Sequence, residues 1–153
     1  MTNGVEDDES EPMRALVIHE SLTGNTRKAA GLIVADLVSR GWEATECSSR
    51  QVDLAALQQA DVVVVGTWVD GLILFGQRPG GAGKLGKLPL LSNKPTYCYV
   101  TYAVDAGKTL EKLSALLEER DADVRGGMAI RRDKVVEGCA DLVDRMISAA
   151  SLA

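Results

Sequence analysis

The chain has 153 residues, of which 46% are hydrophobic and 25% are charged, which is the size and composition of one domain with an ordinary core. It has no apolar run of the roughly 18 residues that a membrane span needs, and it opens on acidic residues rather than on a basic stretch followed by an apolar one. We therefore expect a single soluble, cytoplasmic domain with neither a membrane nor a nucleic acid as its partner.

The first twelve residues form an acidic segment. The formal net charge is -5, and five side chains of this segment account for it: Glu6, Asp7, Asp8, Glu9 and Glu11. Because the segment has almost no apolar residues, we expect residues 1–12 to be a disordered tail and residues 13–153 to form the domain. Docking of the tail to a basic partner is the alternative to a merely solvated extension.

From residue 14 onward, apolar runs of strand length alternate with helical stripes. Runs at residues 15–19, 42–47, 61–67, 96–102 and 123–131 predict five strands. Apolar spacing predicts three helices, through Ala30, Ile33, Val34, Leu37 and Val38, through Leu110, Leu113 and Leu117, and through Cys139, Leu142, Val143, Met146 and Ile147. Strands alternating with helices imply right-handed crossovers, so we expect a doubly wound α/β sandwich with a five-stranded parallel sheet.

Ligands of such sheets bind beyond the carboxyl ends of the strands. Three loops are expected at this edge: a first loop at residues 20–26, a second at 67–82 and a third at 102–108. In the first loop, Gly24 frees the turn, and hydroxyl, amide and helix-start N–H groups can converge on one anion. A simple N-cap would explain one of these side chains but not four in six positions, so we predict a phosphate site.

The first loop resembles the phosphate loop of the flavodoxin family, whose pattern is Thr or Ser, any residue, Thr, Gly, any residue, Thr. Ser21, Thr23, Gly24, Asn25 and Thr26 match that pattern, and the resemblance extends over essentially the whole chain from Met13. It implies a flavodoxin-like sandwich with parallel strands in the order 2-1-3-4-5 and FMN as cofactor. It also implies phosphate contacts from the six consecutive residues Ser21, Leu22, Thr23, Gly24, Asn25 and Thr26.

The same resemblance assigns the flavin ring to the other two loops. The second loop would contribute Thr67, Trp68, Val69, Asp70 and Gly71, with Trp68 stacked on the ring. The third would contribute Thr101, Tyr102, Ala103, Asp105 and Gly107, with Tyr102 as a second aromatic side chain. In the family a glycine and an acid commonly stand earlier in the third loop, and this sequence departs from that pattern.

Several other patterns are weaker. Residues 81–86 satisfy the dinucleotide pattern GxGxxG, but Pro79 precedes them and Pro89 shortens any following helix. The three cysteines, Cys47, Cys98 and Cys139, form no metal or disulfide pattern and are expected to be buried thiols. His19 is the one histidine, so we expect a structural role and neither a metal site nor a catalytic residue.

Between Gly71 and Val104 the sequence has no acidic residue, whereas flavodoxins usually surround the flavin with acids. It has four cations there, Arg78, Lys84, Lys87 and Lys94. If they lie beside the cofactor, they favour the reduced anion and attract an acidic partner or a phosphorylated nicotinamide; a solvated face is the alternative. Residues 72–75, if exposed, would form an apolar patch for a partner or a second subunit.

We thus expect an FMN-binding electron-transfer protein, a monomer or weak homodimer, that meets a redox partner protein acting as reductase or acceptor. Two alternatives stay open. One is an NAD(P)H-dependent flavin reductase acting on quinones or nitro compounds. The other is a binding or regulatory module of the same fold without redox turnover.

Overall fold

The computed structural model describes residues 11–71 and 76–152. The strands are β1 (Arg14–His19), β2 (Glu43–Ser48), β3 (Val62–Asp70), β4 (Arg78–Pro79), β5 (Pro95–Tyr102) and β6 (Asp123–Arg131). The helices are α1 (Asn25–Ser39), α2 (Leu54–Gln59), α3 (Ala82–Leu85), α4 (Thr109–Glu119) and α5 (Val135–Ser151). Most of the predicted tail and the predicted patch at 72–75 lie outside the described residues.

Five of the strands form a parallel sheet in the order β2-β1-β3-β5-β6. Counted among parallel strands alone, this is the order 2-1-3-4-5, so the predicted doubly wound sandwich is confirmed. The short strand β4 pairs antiparallel with the end of β3 and was not predicted, because two residues carry no periodicity signal. Within the described ranges, no helix combines the length and apolarity needed to span a bilayer.

The sheet is covered on both faces, which is why β3 must be apolar on both sides. Val62 and Val64 pack in the cluster that contains the buried residues of α1 and α5, and Val63 and Val65 pack in the cluster that contains those of α2 and α4. The predicted face of α1 was wrong at one position. Val38 is 52% exposed, because the helix centres its buried face on Ala30, Ile33 and Leu37 and turns position 38 away from it.

The polar core residues fit the expected structural roles, with one correction. Cys98 and Cys139 are buried, and burial raises the pKa of each thiol to about 12. Cys47 is only half-buried, because it lies on the edge strand β2. His19 is buried, with Nε2 2.5 Å from Glu46 Oε1.

The four cations between Gly71 and Val104 do not all lie at the carboxyl edge of the sheet, which corrects the expectation for Lys94. That residue precedes β5, and its Nζ donates to the carbonyls of Gln58 and Ala60 at the amino ends of the strands. Arg78 pairs with Asp70 at 3.3 Å, and Lys84 is exposed on α3. The chain between β4 and β5 spans the sheet from one edge to the other, so its cations are spread along that path.

Candidate functional site

A cavity of about 130 Å³ lies at the carboxyl edge of the parallel sheet. Residues following four strands line it: Leu22, Thr23 and Asn25 after β1, Trp68 and Val69 at the end of β3, Thr101, Tyr102 and Ala103 at the end of β5, and Arg132 after β6. All three predicted loops therefore meet at one cavity, as the parallel arrangement requires.

The first loop places hydroxyl, amide and backbone N–H groups around the start of α1. Gly24 adopts φ 99°, a left-handed conformation that favours glycine. Ser21 Oγ accepts from the N–H of Gly24 at 3.1 Å and of Arg27 at 3.4 Å, and Asn25 Nδ2 donates to Thr23 Oγ1 at 3.2 Å. The first N–H groups of a helix have no acceptor within it, and the helix dipole makes this end favourable for an anion.

Thr26 has a different role from the one predicted for it. It is buried, its hydroxyl lies 3.0 Å from that of Thr101, and its carbonyl accepts from the Tyr99 hydroxyl at 2.8 Å. Tyr99 reaches this carbonyl across Gly66, where an added Cβ would lie 2.0 Å from the tyrosine Cζ. Thr26 thus joins α1 to β5 underneath the cavity and fixes the helix start against the sheet.

The second loop packs against one face of the Trp68 indole. The returning chain places Gly80 against the indole, so that an added Cβ would lie 2.1 Å from Trp68 Cε2. The Gly80 N–H donates to the Trp68 carbonyl at 2.7 Å, and Thr67 Oγ1 donates to the Gly80 carbonyl at 2.5 Å. Because Trp68 also lines the cavity, its orientation there is set by the glycine behind it.

Gln77 of the second loop is hydrogen-bonded to the third loop. Gln77 Nε2 donates to the Asp105 carbonyl at 2.7 Å, and Lys112 Nζ donates to the Gln77 carbonyl at 2.6 Å. Gly107, at φ 56°, leaves room for the amide, since an added Cβ would lie 2.2 Å from Gln77 Oε1. Asp105 and Gly107 therefore shape the loop that carries Tyr102.

Eight of the sixteen predicted site residues line the cavity, and all eight are named above as its lining. The other eight lie in the loops around it: Ser21, Gly24, Thr26, Thr67, Asp70, Gly71, Asp105 and Gly107. Their assignment as ligand contacts stays a prediction.

Sequence reasoning missed Arg132, Gly80 and Gln77. Arg132 follows the fifth parallel strand and therefore reaches the same edge as the other loops, a signal that the strand pattern already contained. Gly80 and Gln77 are positioned by the short antiparallel strand β4, which no pattern in the sequence predicted.

Two larger cavities have a weaker claim to bind a ligand. One, of about 330 Å³, lies between α4 and the first half of β6, away from the carboxyl edge. The other, of about 260 Å³, adjoins the first loop, and its lining is wholly polar: His19, Glu20, Ser21, Arg27, Glu46, Ser48 and Arg50. Its buried Glu20 is already bonded to Ser49 and to Arg50, the latter at 3.2 Å, and His19 to Glu46. These pairings account for four of the seven lining residues without a ligand: Glu20, Arg50, His19 and Glu46.

The cavity at the carboxyl edge has a distinct chemical character. Among its nine lining residues none is acidic, and Arg132 is cationic. Two aromatic side chains, Trp68 and Tyr102, lie in the same cavity as the amide and hydroxyl groups of the first loop. The arrangement suits an elongated ligand with an anionic group at one end and a planar ring at the other.

The comparisons with known proteins agree with this geometry. A family model described as a flavodoxin domain matches residues 16–126. A flavodoxin from the domain Archaea superposes with a TM-score of 0.66 at 19% identity, covering 86% of this chain and 94% of that one. The oxidised flavodoxin 1 of Bacillus cereus gives 0.64 at 19% identity, with 88% and 97% covered.

The two-electron reduced flavodoxin of Megasphaera elsdenii gives a TM-score of 0.60 at 17% identity, with 83% of this chain and 98% of that one covered. At these identities the superpositions establish a common fold. A search of curated protein sequences finds no match.

Proposed function

The chain belongs to the flavodoxin family, and from that membership we propose that it binds FMN and carries electrons between redox partners. The observation that carries the proposal is the meeting of three loops at one cavity: helix-start N–H groups with Thr23 and Asn25 from the first loop, Trp68 from the second and Tyr102 from the third. Half of the predicted positions are cavity residues, and the rest build the loops that hold them.

The residues present fit this cofactor. Hydroxyl, amide and backbone N–H donors suit a phosphate, and each hydrogen bond to a charged group contributes roughly 1.5–3 kcal/mol. Aromatic faces suit the flavin ring, by analogy with stacking on nucleic acid bases. At about 130 Å³ the cavity is smaller than the roughly 300–1,000 Å³ of sites that enclose a ligand, so a ligand here keeps part of its surface accessible to a partner.

FMN, when bound, supplies the redox chemistry. The chain's own contribution is to hold the phosphate at the start of α1 and to orient the ring against Trp68, whose indole is fixed by Gly80. The absence of acidic side chains from the cavity lining gives this site a more positive field than the acidic surroundings usual in the family.

A carrier is favoured over a stand-alone reductase. Hydride transfer from NADPH needs a pocket that holds the nicotinamide roughly 3–3.5 Å from the flavin, and the loops at this edge are already committed to the cofactor. The basic segment that favoured a nicotinamide phosphate is dispersed, with Lys94 at the opposite edge and Arg78 paired with Asp70. We therefore propose that electrons arrive from a separate reductase.

Titration of the apoprotein with FMN and with riboflavin tests the binding step. We expect tighter binding of FMN, and a Thr23→Ala, Asn25→Ala double variant should lose most of that preference. Thr45→Ala, which alters an exposed threonine on β2, is the matched control and should bind FMN like the unmodified protein. Equal affinities for the two flavins would contradict the proposed phosphate site.

Steady-state NADPH oxidation by the FMN-loaded protein tests the carrier assignment. We expect negligible turnover with NADPH alone and rapid reduction when a flavodoxin reductase is added. Efficient oxidation by the isolated protein would instead establish the reductase alternative. Tight FMN binding with no reduction by either route would favour the binding module.

A further inference from the structure

Arg132 reaches the cavity from an element that the sequence pattern did not associate with the site. It begins the 3-10 turn Arg132–Lys134, which follows β6 directly and leads into α5. Arg132 is exposed, and it lines the cavity together with Thr23 and Asn25 of the first loop and with Tyr102 of the third. A cationic residue and the polar residues of the first loop thus border the same small cavity.

The two residues that flank Arg132 in the sequence are paired with each other. Arg131 donates from Nε to Asp133 Oδ1 at 2.8 Å and from Nη2 to Asp133 Oδ2 at 2.7 Å, a two-point ion pair. The hydrogen bonds from Arg131 lower the pKa of Asp133, so this carboxylate stays ionised and directed toward Arg131 at neutral pH. Arg132, between them in sequence, is the residue of the turn that lines the cavity, and no acidic side chain shares that lining.

From this arrangement we propose that Arg132 is a cofactor-binding residue that makes the site selective for a phosphorylated flavin, by placing its guanidinium on the phosphate held by the first loop. The inference rests on the proposed function, because it concerns the same cavity. A guanidinium forms strong, paired hydrogen bonds with phosphate oxygens, and a dianionic phosphate gains more from a cation than an uncharged ring does.

The test compares two flavins that differ only in the phosphate. Apoprotein carrying Arg132→Gln is titrated with FMN and with riboflavin, beside Arg132→Lys and the unmodified protein. We expect Arg132→Gln to weaken FMN binding 10-fold or more and riboflavin binding less than 2-fold. Arg132→Lys keeps the charge but not the paired hydrogen bonds, so its FMN affinity should lie between those of the unmodified protein and Arg132→Gln. Raising the salt concentration should narrow the difference in FMN affinity between the unmodified protein and Arg132→Gln.

Arg125→Gln is the matched control, since Arg125 is an exposed arginine on β6, the strand before Arg132, and is paired with Asp123 outside the cavity lining. It should leave both affinities unchanged. An equal loss for both flavins in Arg132→Gln, or no loss for either, would overturn the inference while leaving FMN binding by the unmodified protein intact. Failure of the unmodified protein to bind FMN would instead overturn the proposed function, and this inference with it.

Discussion

Gly80 packs against the indole of Trp68 so closely that no side chain fits between them: a Cβ at position 80 would lie 2.1 Å from Trp68 Cε2. The contact places a backbone surface behind the ring that we propose stacks on the flavin. It also makes the glycine, rather than the aromatic residue alone, a determinant of the site.

Gly80→Ala should therefore displace the indole. We expect FMN affinity to fall roughly 10-fold, because base-like stacking on an aromatic side chain is worth about 1–3 kcal/mol and part of it would be lost. The affinity is measured by titration of the apoprotein. Gly83→Ala is the control, since a Cβ there meets nothing within 4 Å; a similar loss in both variants would mean that Gly80 has no special relation to the ring.

Trp68 should account for the change in protein fluorescence on FMN binding. The chain has two tryptophans, and Trp42 lies just before β2, at the amino edge of the sheet and far from the cavity. We expect FMN to quench the unmodified protein strongly and Trp68→Phe weakly, with Trp42→Phe retaining the quenching. If Trp68→Phe is quenched as much as the unmodified protein, Trp68 does not contact the flavin.

The hydroxyl of Tyr99 should stabilise the fold beneath the site. It donates to the Thr26 carbonyl at 2.8 Å and is fully buried, and burial raises the pKa of this phenol well above its ordinary value. Tyr99→Phe should lower the free energy of unfolding by about 0.5–1.5 kcal/mol, the usual net value of such a bond. Urea unfolding measures it. Tyr97→Phe, which removes a hydroxyl from the same face of β5 and leaves the bond to Thr26 intact, should have a smaller effect.

The buried cysteines predict a pH dependence. Burial raises the pKa of Cys98 and Cys139 to about 12, so both stay protonated thiols up to high pH. Their alkylation by iodoacetamide should remain slow from pH 7 to pH 9 in the folded protein and become fast in urea. Mass spectrometry of the modified peptides assigns the sites, and rapid labelling of Cys98 in the folded state would contradict the expected burial.

The same shifts affect stability with a defined sign. An unfolded thiol ionises near pH 8.5, so the folded state holds the protonated form preferentially above that value. This contribution to folding is fully present below about pH 8.5 and is lost as the pH rises toward 12. Replacing both cysteines with alanine should flatten the decline in unfolding free energy between pH 8.5 and pH 10.

Lys84 and Lys87 should steer anionic partners. Both are exposed, in α3 and just after it. Lys84→Glu, Lys87→Glu should slow oxidation of the reduced protein by ferricyanide roughly 3- to 10-fold at 10 mM salt, and 0.5 M salt should remove most of the difference, since screening is strong beyond a few ångströms there. Arg125→Glu, which reverses an exposed charge on β6, is the control. An unchanged rate in the double variant would place both lysines on a solvated face without a role in docking.

The sequence predicted the sheet well because each parallel strand is buried on both faces and must be a continuous apolar run. The runs at 61–67 and 96–102 became β3 and β5 with small shifts in their ends. Helical spacing predicted less well which residues at the border of a helix's buried face are covered. Val38 fits the stripe of α1 yet is exposed, because spacing defines a face only to within one turn.

The site was predictable only where local chemistry marks it. Thr23 and Asn25 follow a glycine turn at a helix start, and Trp68 and Tyr102 end strands at the same edge, so position along the chain sufficed for all four. Arg132, Gly80 and Gln77 act through long-range packing. Lys94 shows the opposite error. Because it is close in sequence to Lys84 and Lys87, it was expected at the same edge of the sheet, but the chain between β4 and β5 carries it to the amino ends of the strands.

The hydrogen bonds of Gln77 couple the loop that carries Trp68 to the loop that carries Tyr102. The loop that returns behind Trp68 cannot move far without breaking the bond from Gln77 Nε2 to the Asp105 carbonyl and the bond from Lys112 to Gln77. Opening either loop on its own therefore requires breaking these hydrogen bonds, so the motions of the two loops should be coupled. Binding of the ring would then restrict the motion of both loops at once.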